Sequence, residues 1–183
     1  CPNDPEDFDD FEDDDGCPDP DNDKDGILDP DDDCPNDALN KCAVRRTECS
    51  IVILDKIHFE SNRDVIKSVS HPILDAVADL MRTNRDIKLI EVQGHTDSVG
   101  ADAHNLDLSG RRAQSVVRYI AAKGVTDSRL APKGYGEDQP IDTNSNSRGR
   151  ANNRRVEFII LDPKPTQECI DKQRLLMLKG RSR

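Results

Sequence analysis

The stretch IKLIEVQGHTDSVGADAHNLDLSGRRAQSVVRYIAAKG, residues 87–124, decides how the chain is read. Ile87 to Val92 form an apolar, β-prone run that stops at Gly94, which predicts a strand. Gly94 to Gly100 is a polar loop bounded by glycines. Ser109 reads as a helix cap. Behind it Ala113, Val116, Val117, Ile120 and Ala121 recur at helical spacing, and Gly124 ends the helix.

Working outward, Ile51 to Leu54 make a second short apolar run, so a strand is placed there, with Phe59 packing just beyond it. Ser70 caps a helix with Pro72 in its first turn. Ile73, Val77, Leu80 and Met81 then recur at helical spacing beside Ala76, and Asn84 closes the helix. After Gly124, Arg129 to Ala131 begin an extended piece closed by Gly134-Tyr135-Gly136. A long polar loop follows from Asp138 to Asn153, and Val156 to Leu161 read as a last strand. The order is β-α-β-α-β-β. Strand–helix–strand units make parallel neighbours through right-handed crossovers. The expectation is an α+β domain of two layers, with the helices packed on a four-stranded mixed sheet.

The N-terminal part is different in kind. Of the formal net charge of −11 in 183 residues, residues 1–37 hold 18 carboxylates against one lysine. Residues 38–183 hold 19 acidic against 25 basic groups. The acidity belongs to one short segment, which speaks against a polyanionic partner such as nucleic acid and for a cation. Cys-Pro recurs at Cys1, Cys17 and Cys34, with Asp-rich intervals between, so residues 1–37 read as a short, irregular repeat array. Asp21 to Asp32 fits a twelve-residue calcium loop. Asp21, Asp23, Asp25, Asp29 and Asp32 take ligand positions, the Ile27 carbonyl adds an oxygen, and Gly26 stands at the tight turn. Asp7, Asp9, Asp13 and Asp15 make a looser second site. Calcium is the expected cofactor, and the alternative is a solvated acidic linker.

Six cysteines stand at 1, 17, 34, 42, 49 and 169. Crowding five of them into the first 49 residues favours disulfides and an oxidising compartment. The pairing is left open, and Cys169 is the expected unpaired thiol. No apolar run is long enough to span a bilayer. The start at Cys1, inside a repeat, is read as a processed product or a fragment.

The candidate site centres on Asp97, in a loop just beyond a strand end. His95, Asp97 and His104 invite a metal reading, but their spacing is unspecific. No Gly-x-Ser-x-Gly and no phosphate-cradling loop occurs. What remains is opposed charge. Asp97 and the Arg111-Arg112 pair could hold a ligand with an ammonium and a carboxylate on one carbon, the arginine fork taking the carboxylate. The residues alone equally allow an internal Asp97–Arg112 salt bridge that merely fixes the loop.

Gly94-His95-Thr96-Asp97, Asn105, Leu108-Ser109, Arg111-Arg112-Ala113, Gly134-Tyr135-Gly136, Gly149-Arg150 and Asn153-Arg154-Arg155-Val156-Glu157 stand together in order. This pattern resembles the OmpA-like peptidoglycan-binding domain of bacterial envelope proteins. The acidic array resembles thrombospondin type 3 calcium-binding repeats. The resemblance implies that Asp97 and Arg112 bind meso-diaminopimelate of the peptidoglycan stem peptide. Thr96, Asn105, Leu108 and Arg111 would line the same groove, Arg155 would be structural, and Asn153 would shape the preceding loop. His104 stands where the family often has Tyr. The implied organisation is a calcium-binding repeat segment at 1–37, a junction at 38–49, the OmpA-like domain at 50–161 and a basic tail at 162–183. The implied role is non-catalytic: tethering the outer membrane, at its periplasmic face, to the wall through a calcium-stiffened spacer. A membrane attachment would come only from upstream sequence. A peptidoglycan-acting enzyme and a calcium-dependent adhesion protein are the alternatives. A second copy of the chain stays open as a partner.

Overall fold

The computed structural model describes residues 44–47, 49–53, 55–166 and 169. Its strands are β1 (Val44–Arg46), β2 (Ser50–Ile53), β3 (Leu89–Gly94), β4 (Leu130–Gly134) and β5 (Val156–Asp162). Its α-helices are α1 (His71–Thr83), α2 (Asp102–Ala122) and α3 (Ser147–Asn153).

The sheet has five strands, in the order β1-β2-β5-β3-β4, and not the expected four. The added strand, β1, lies in the stretch expected to be a junction. It carries a single buried apolar residue, Val44, too little pattern to announce a strand. Thr47 makes the turn into β2: its backbone N–H donates to the Ser50 carbonyl at 2.8 Å. Its hydroxyl accepts from the Ser50 N–H at 3.1 Å.

The pairing also departs from expectation. β3 and β4 are parallel neighbours joined through α2, as β-α-β logic requires. The two strands flanking α1 are not neighbours, because β5 lies between them, antiparallel to both. β5 suits the central place. Val156, Phe158 and Ile160 alternate into the core, and Ile159 is half-buried on the opposite face.

α1 begins and ends as predicted. Ser70 precedes it, but its hydroxyl accepts from the His58 N–H at 2.7 Å and caps nothing. α2 is a correction. It starts at Asp102, two turns before Ser109, which lies fully buried inside the helix. Ser109 Oγ donates to the Leu106 carbonyl and accepts from the Gly136 N–H, both at 2.9 Å. It tethers a loop where a cap was expected. Here α2 lies almost on the strands. A Cβ on Gly94 would fall 2.2 Å from the Ser109 carbonyl oxygen, and one on Gly134 would fall 2.5 Å from the Gly110 nitrogen. Glycine at both strand ends is a steric requirement. The loop expected over 138–153 contains α3, capped by Asn146, whose side chain accepts from the Gly149 N–H at 2.7 Å.

α1 and α2 bury their apolar faces with the sheet in one core, including Leu74, Val77, Met81, Ile90, Val116, Ile120 and Phe158. No helix among the described residues is long and apolar enough to cross a membrane.

Two chemical expectations are overturned. Cys169 is not a free thiol: it forms a disulfide with Cys49, which is buried at the start of β2. A separation of 120 residues hid this pair from any reading by local spacing. Cys1, Cys17, Cys34 and Cys42 lie outside the described residues.

Calcium as a cofactor is the second. No group of three or more His, Cys, Asp or Glu able to hold a metal occurs among the described residues. The physical reason is that many of the domain's carboxylates are matched with guanidinium or ammonium groups. Asp86 pairs with Arg46, Asp79 with Arg82, Asp75 with Lys123 and Glu157 with Arg155. His95, Asp97 and His104 form no such group either. The expected ligands Asp7, Asp9, Asp13, Asp15, Asp21, Asp23, Asp25, Ile27, Asp29 and Asp32 lie outside the described residues, as does the whole expected repeat array.

Candidate functional site

Sheet topology gathers the site. β3 and β4 run parallel and end opposite each other, at Gly94 and Gly134. β5 is antiparallel to β3 and begins at Val156, opposite Gly94. Three loops therefore meet at one end of the sheet: 95–101, 135–146 and the pair 154–155. Backbone bonds stitch them. His95 N–H donates to the Arg155 carbonyl at 3.0 Å, Thr96 N–H to the Gly136 carbonyl at 2.8 Å, and Tyr135 N–H to the Gly94 carbonyl at 2.9 Å. His95 is buried and stacks on Tyr135, with ring centroids 5.3 Å apart.

Asp97 is buried in this junction at 7% exposure. One carboxylate oxygen accepts from the Val99 N–H at 3.0 Å, and the other from Arg154 Nη1 at 2.5 Å. Its salt-bridge partner is therefore Arg154 and not Arg112. Asn105, also buried, spans the neighbourhood: its amide donates to the Asp97 carbonyl at 3.3 Å and to the Glu137 carboxylate at 2.6 Å. Leu108 is buried on the same helix. Thr96 Oγ1 is buried and makes no hydrogen bond among the described residues.

Arg112 stands on α2 beside the segment that follows β2. Its Nε donates to the Arg63 carbonyl at 3.0 Å, and its guanidinium lies over the Phe59 ring at 4.9 Å. It makes no ion pair among the described residues. Burial, with Arg154 and Arg111 nearby, pushes its pKa below the ordinary guanidinium value, against the weaker opposing pull of Asp64 and Asp97. It remains a cation, and an under-compensated one. A cleft of about 370 Å³ opens beside it, lined by Lys56, Phe59, Asn62, His95, Arg112 and Arg154 among others.

Arg111 is placed differently from its neighbour. It donates to Asp64 at 3.1 Å and to Asp107 at 2.9 Å, and it is not among the cleft's lining residues. His104 Nε2 lies 2.9 Å from Oδ1 of Asn62, a residue that lines the cleft.

The loop end is saturated with hydrogen bonds. Asn153 is fully buried. Its oxygen accepts from the N–H groups of Ile141 and Asp142, and its amide donates to the Asp142 carbonyl and to Asn144 Oδ1. Asn144 Oδ1 in turn accepts from the Ser98 N–H at 3.3 Å, so this network reaches the Asp97 loop. Arg155 is buried against Glu157 and donates to the carbonyls of Asn153 and Gln139. Both residues do what the resemblance implied. Arg154, which pairs with Asp97 and lines the cleft, is the candidate-site residue that sequence reasoning missed. The signal was present: in a doublet entering a strand, consecutive side chains point to opposite sides. Only one of the two arginines can be the buried structural one.

The OmpA family model matches residues 58–154, a span that contains Asp97, Asn105, Arg112 and Arg154, and the chain belongs to the OmpA family. The outer membrane protein A of Bordetella avium is 40% identical over 103 residues, which cover 56% of this chain and 53% of that protein. The peptidoglycan-binding protein ArfA of Mycobacterium tuberculosis is 32% identical over 123 residues, 67% of this chain and 37% of that protein. The chain thus spans about half of the first relative and a little over a third of the second. Among solved structures, the cell wall anchor of the type VI secretion system from Pseudomonas aeruginosa superposes with a TM-score of 0.54. It is 27% identical, with 65% of this chain and 86% of that one covered. By their names the first is an outer-membrane protein, the second a peptidoglycan-binding protein and the third a cell wall anchor, in line with a non-enzymatic domain at the cell envelope. The family match begins at residue 58 and lends nothing to the thrombospondin-like repeats.

Proposed function

We propose that the domain binds the peptide stem of peptidoglycan without covalent chemistry, and that its ligand is the meso-diaminopimelate centre. The observation that carries this is Arg112. A guanidinium that is partly desolvated, braced by a carbonyl and a ring, and makes no ion pair among the described residues is an incomplete ion pair. A ligand carboxylate completes it, bidentately, through the fork. Asp97 supplies the complement. Its carboxylate accepts two hydrogen bonds in the free protein. Two carboxylate oxygens have about four acceptor sites, so an ammonium can still be received. Similarity to a peptidoglycan-binding protein, ArfA, and to a cell wall anchor supports the reading. Held this way, residues 50–161 would grip the wall, with residues 1–37 and the junction 38–49 leading toward an outer-membrane attachment and 162–183 as a tail.

The test is affinity for a synthetic stem peptide containing meso-diaminopimelate, read beside melting temperature. Arg112→Lys keeps charge and loses the fork, and Asp97→Asn keeps shape and loses charge. Each should weaken binding about tenfold to a hundredfold, the cost of a charge-assisted contact. Arg112→Lys should leave the melting temperature unchanged, and Arg85→Gln, a surface control on the turn after α1, should leave both unchanged. Wild-type-strength binding by folded Arg112→Lys and Asp97→Asn proteins would end the proposal.

A further inference from the structure

The segment that braces Arg112 is a hairpin. Phe59 bridges Ile66, Glu60 N–H donates to the Val65 carbonyl at 2.9 Å, and Lys67 N–H donates to the His58 carbonyl at 2.9 Å. The tip turns at Asn62, whose φ of 54° is left-handed, a conformation asparagine tolerates better than most residues. Phe59 and Ile66 seat the strap's base against the core, but Val65, toward the tip, is half exposed. Something else must hold the tip to α2.

That something is Asp64. Its carboxylate meets Arg111 Nη1 at 3.1 Å, Ser115 Oγ at 3.3 Å and Arg118 Nη2 at 3.8 Å. Those three partners stand at spacings of four and three on α2, so they form one stripe along the helix. The stripe begins at the residue next to Arg112. With Asp64 seated on it, the strap's base brings the Phe59 ring under the Arg112 guanidinium, and its tip brings the Arg63 carbonyl to Nε. The His104–Asn62 bond is a second tie at the tip.

We propose that Asp64 is a positioning residue for ligand recognition: by clamping the strap to Arg111, Ser115 and Arg118 it fixes the direction in which Arg112 points. This rests on the reading of Arg112 as the carboxylate receptor. The consecutive arginines then divide the labour, Arg111 fastening the strap and Arg112 facing the ligand. Specificity for a planar, two-oxygen acceptor follows from a guanidinium whose rotation is blocked on two sides.

Two measurements decide it. In the first, Asp64→Ala should lower stem-peptide affinity about tenfold, the scale of loss when a binding group is misplaced. Asp64→Glu should restore most of it. In an Arg112→Gln background, Asp64→Ala should have no further effect, because the aimed group is gone. Unchanged affinity in folded Asp64→Ala, or an additive loss in the double variant, overturns the clamp. The second needs no ligand. The Arg112 Nε–H should exchange slowly with solvent in the wild type and markedly faster in Asp64→Ala, as followed by NMR. Equal exchange in the two proteins overturns the clamp even where the stem peptide binds. Failure of the wild type to bind any stem peptide would refute the functional reading alone, and the exchange measurement would still decide whether Asp64 holds Arg112.

Discussion

Asn153 and Arg112 sit in neighbouring parts of one molecule and are opposites. Asn153, on the far side of the loop cluster, has both ends of its amide engaged twice over, by backbone groups and by Asn144. Arg112, at the cleft, has one nitrogen on a carbonyl, one ring under its plane and, among the described residues, no anion. Saturation marks the first as scaffold. Deficit is what the proposed function reads as a receptor. Polar residues in such a domain are therefore sorted by what they lack, since a buried group is tolerated when fully satisfied and becomes a binding determinant when it is not.

That contrast can be broken first where it is strongest. Asn153→Leu should cost about 3–4 kcal/mol of stability, because it strips partners from the N–H groups of Ile141 and Asp142 and the carbonyl of Asp142. Urea unfolding measures it. A loss under about 1 kcal/mol would mean that the loop cluster is not the scaffold described.

A smaller effect is expected at Ser109, whose hydroxyl is the acceptor for the Gly136 N–H. Ser109→Ala should lower stability by about 1–2 kcal/mol, the cost of an unpaired buried N–H. It should also speed hydrogen exchange at Gly136 more than at Ile160. Uniform acceleration at both sites would show a global loss and no tether.

The smallest effect concerns pH and the strap. A local backbone hydrogen bond, with Arg111, Ser115 and Arg118, holds the Asp64 carboxyl below its ordinary value of 3.8. A lowered carboxyl contributes stability that is present above the unfolded value and is lost as the pH falls through the folded one. Wild type should therefore exceed Asp64→Asn in stability at pH 7 by at most about 1 kcal/mol, as befits a surface cluster. The gap should close as the pH drops below 3.8. A gap that persists in acid would assign the difference to shape and not to charge.

How much of this was legible depended on the range of the information. The strand ending at Gly94 and the helix ending before Gly124 are written in local periodicity, and both stand. The start of α2 was not, because Ser109 satisfies the same local rule as a cap while its true partner lies 27 residues away. β1 was hidden because three residues with one buried side chain make no pattern. The place of β5 between the strands flanking α1 is a long-range choice that no local rule fixes. Within the site, Asp97 and Arg112 were identified by their charge and by family resemblance. Their relation was not, because the partner of Asp97 is Arg154, 57 residues along the chain. Many of the domain's carboxylates form pairs with basic side chains and no metal cluster is found among the described residues, so calcium read from the N-terminal segment does not carry over to the described domain.

The Cys49–Cys169 bridge gives the domain an unusual mechanics. It joins two points 120 residues apart in sequence, one at the entry to β2 and the other just beyond β5. The span between them is a closed ring. β1 lies outside that ring, so tension from the N-terminal side can peel it from β2, but beyond β1 it meets a covalent link before it meets the hydrogen bonds of β2 to β5. Pulling on both flanks at once therefore cannot unzip those four strands from their ends. If the domain grips the wall as proposed, the loops that hold it lie inside the ring and the load outside it.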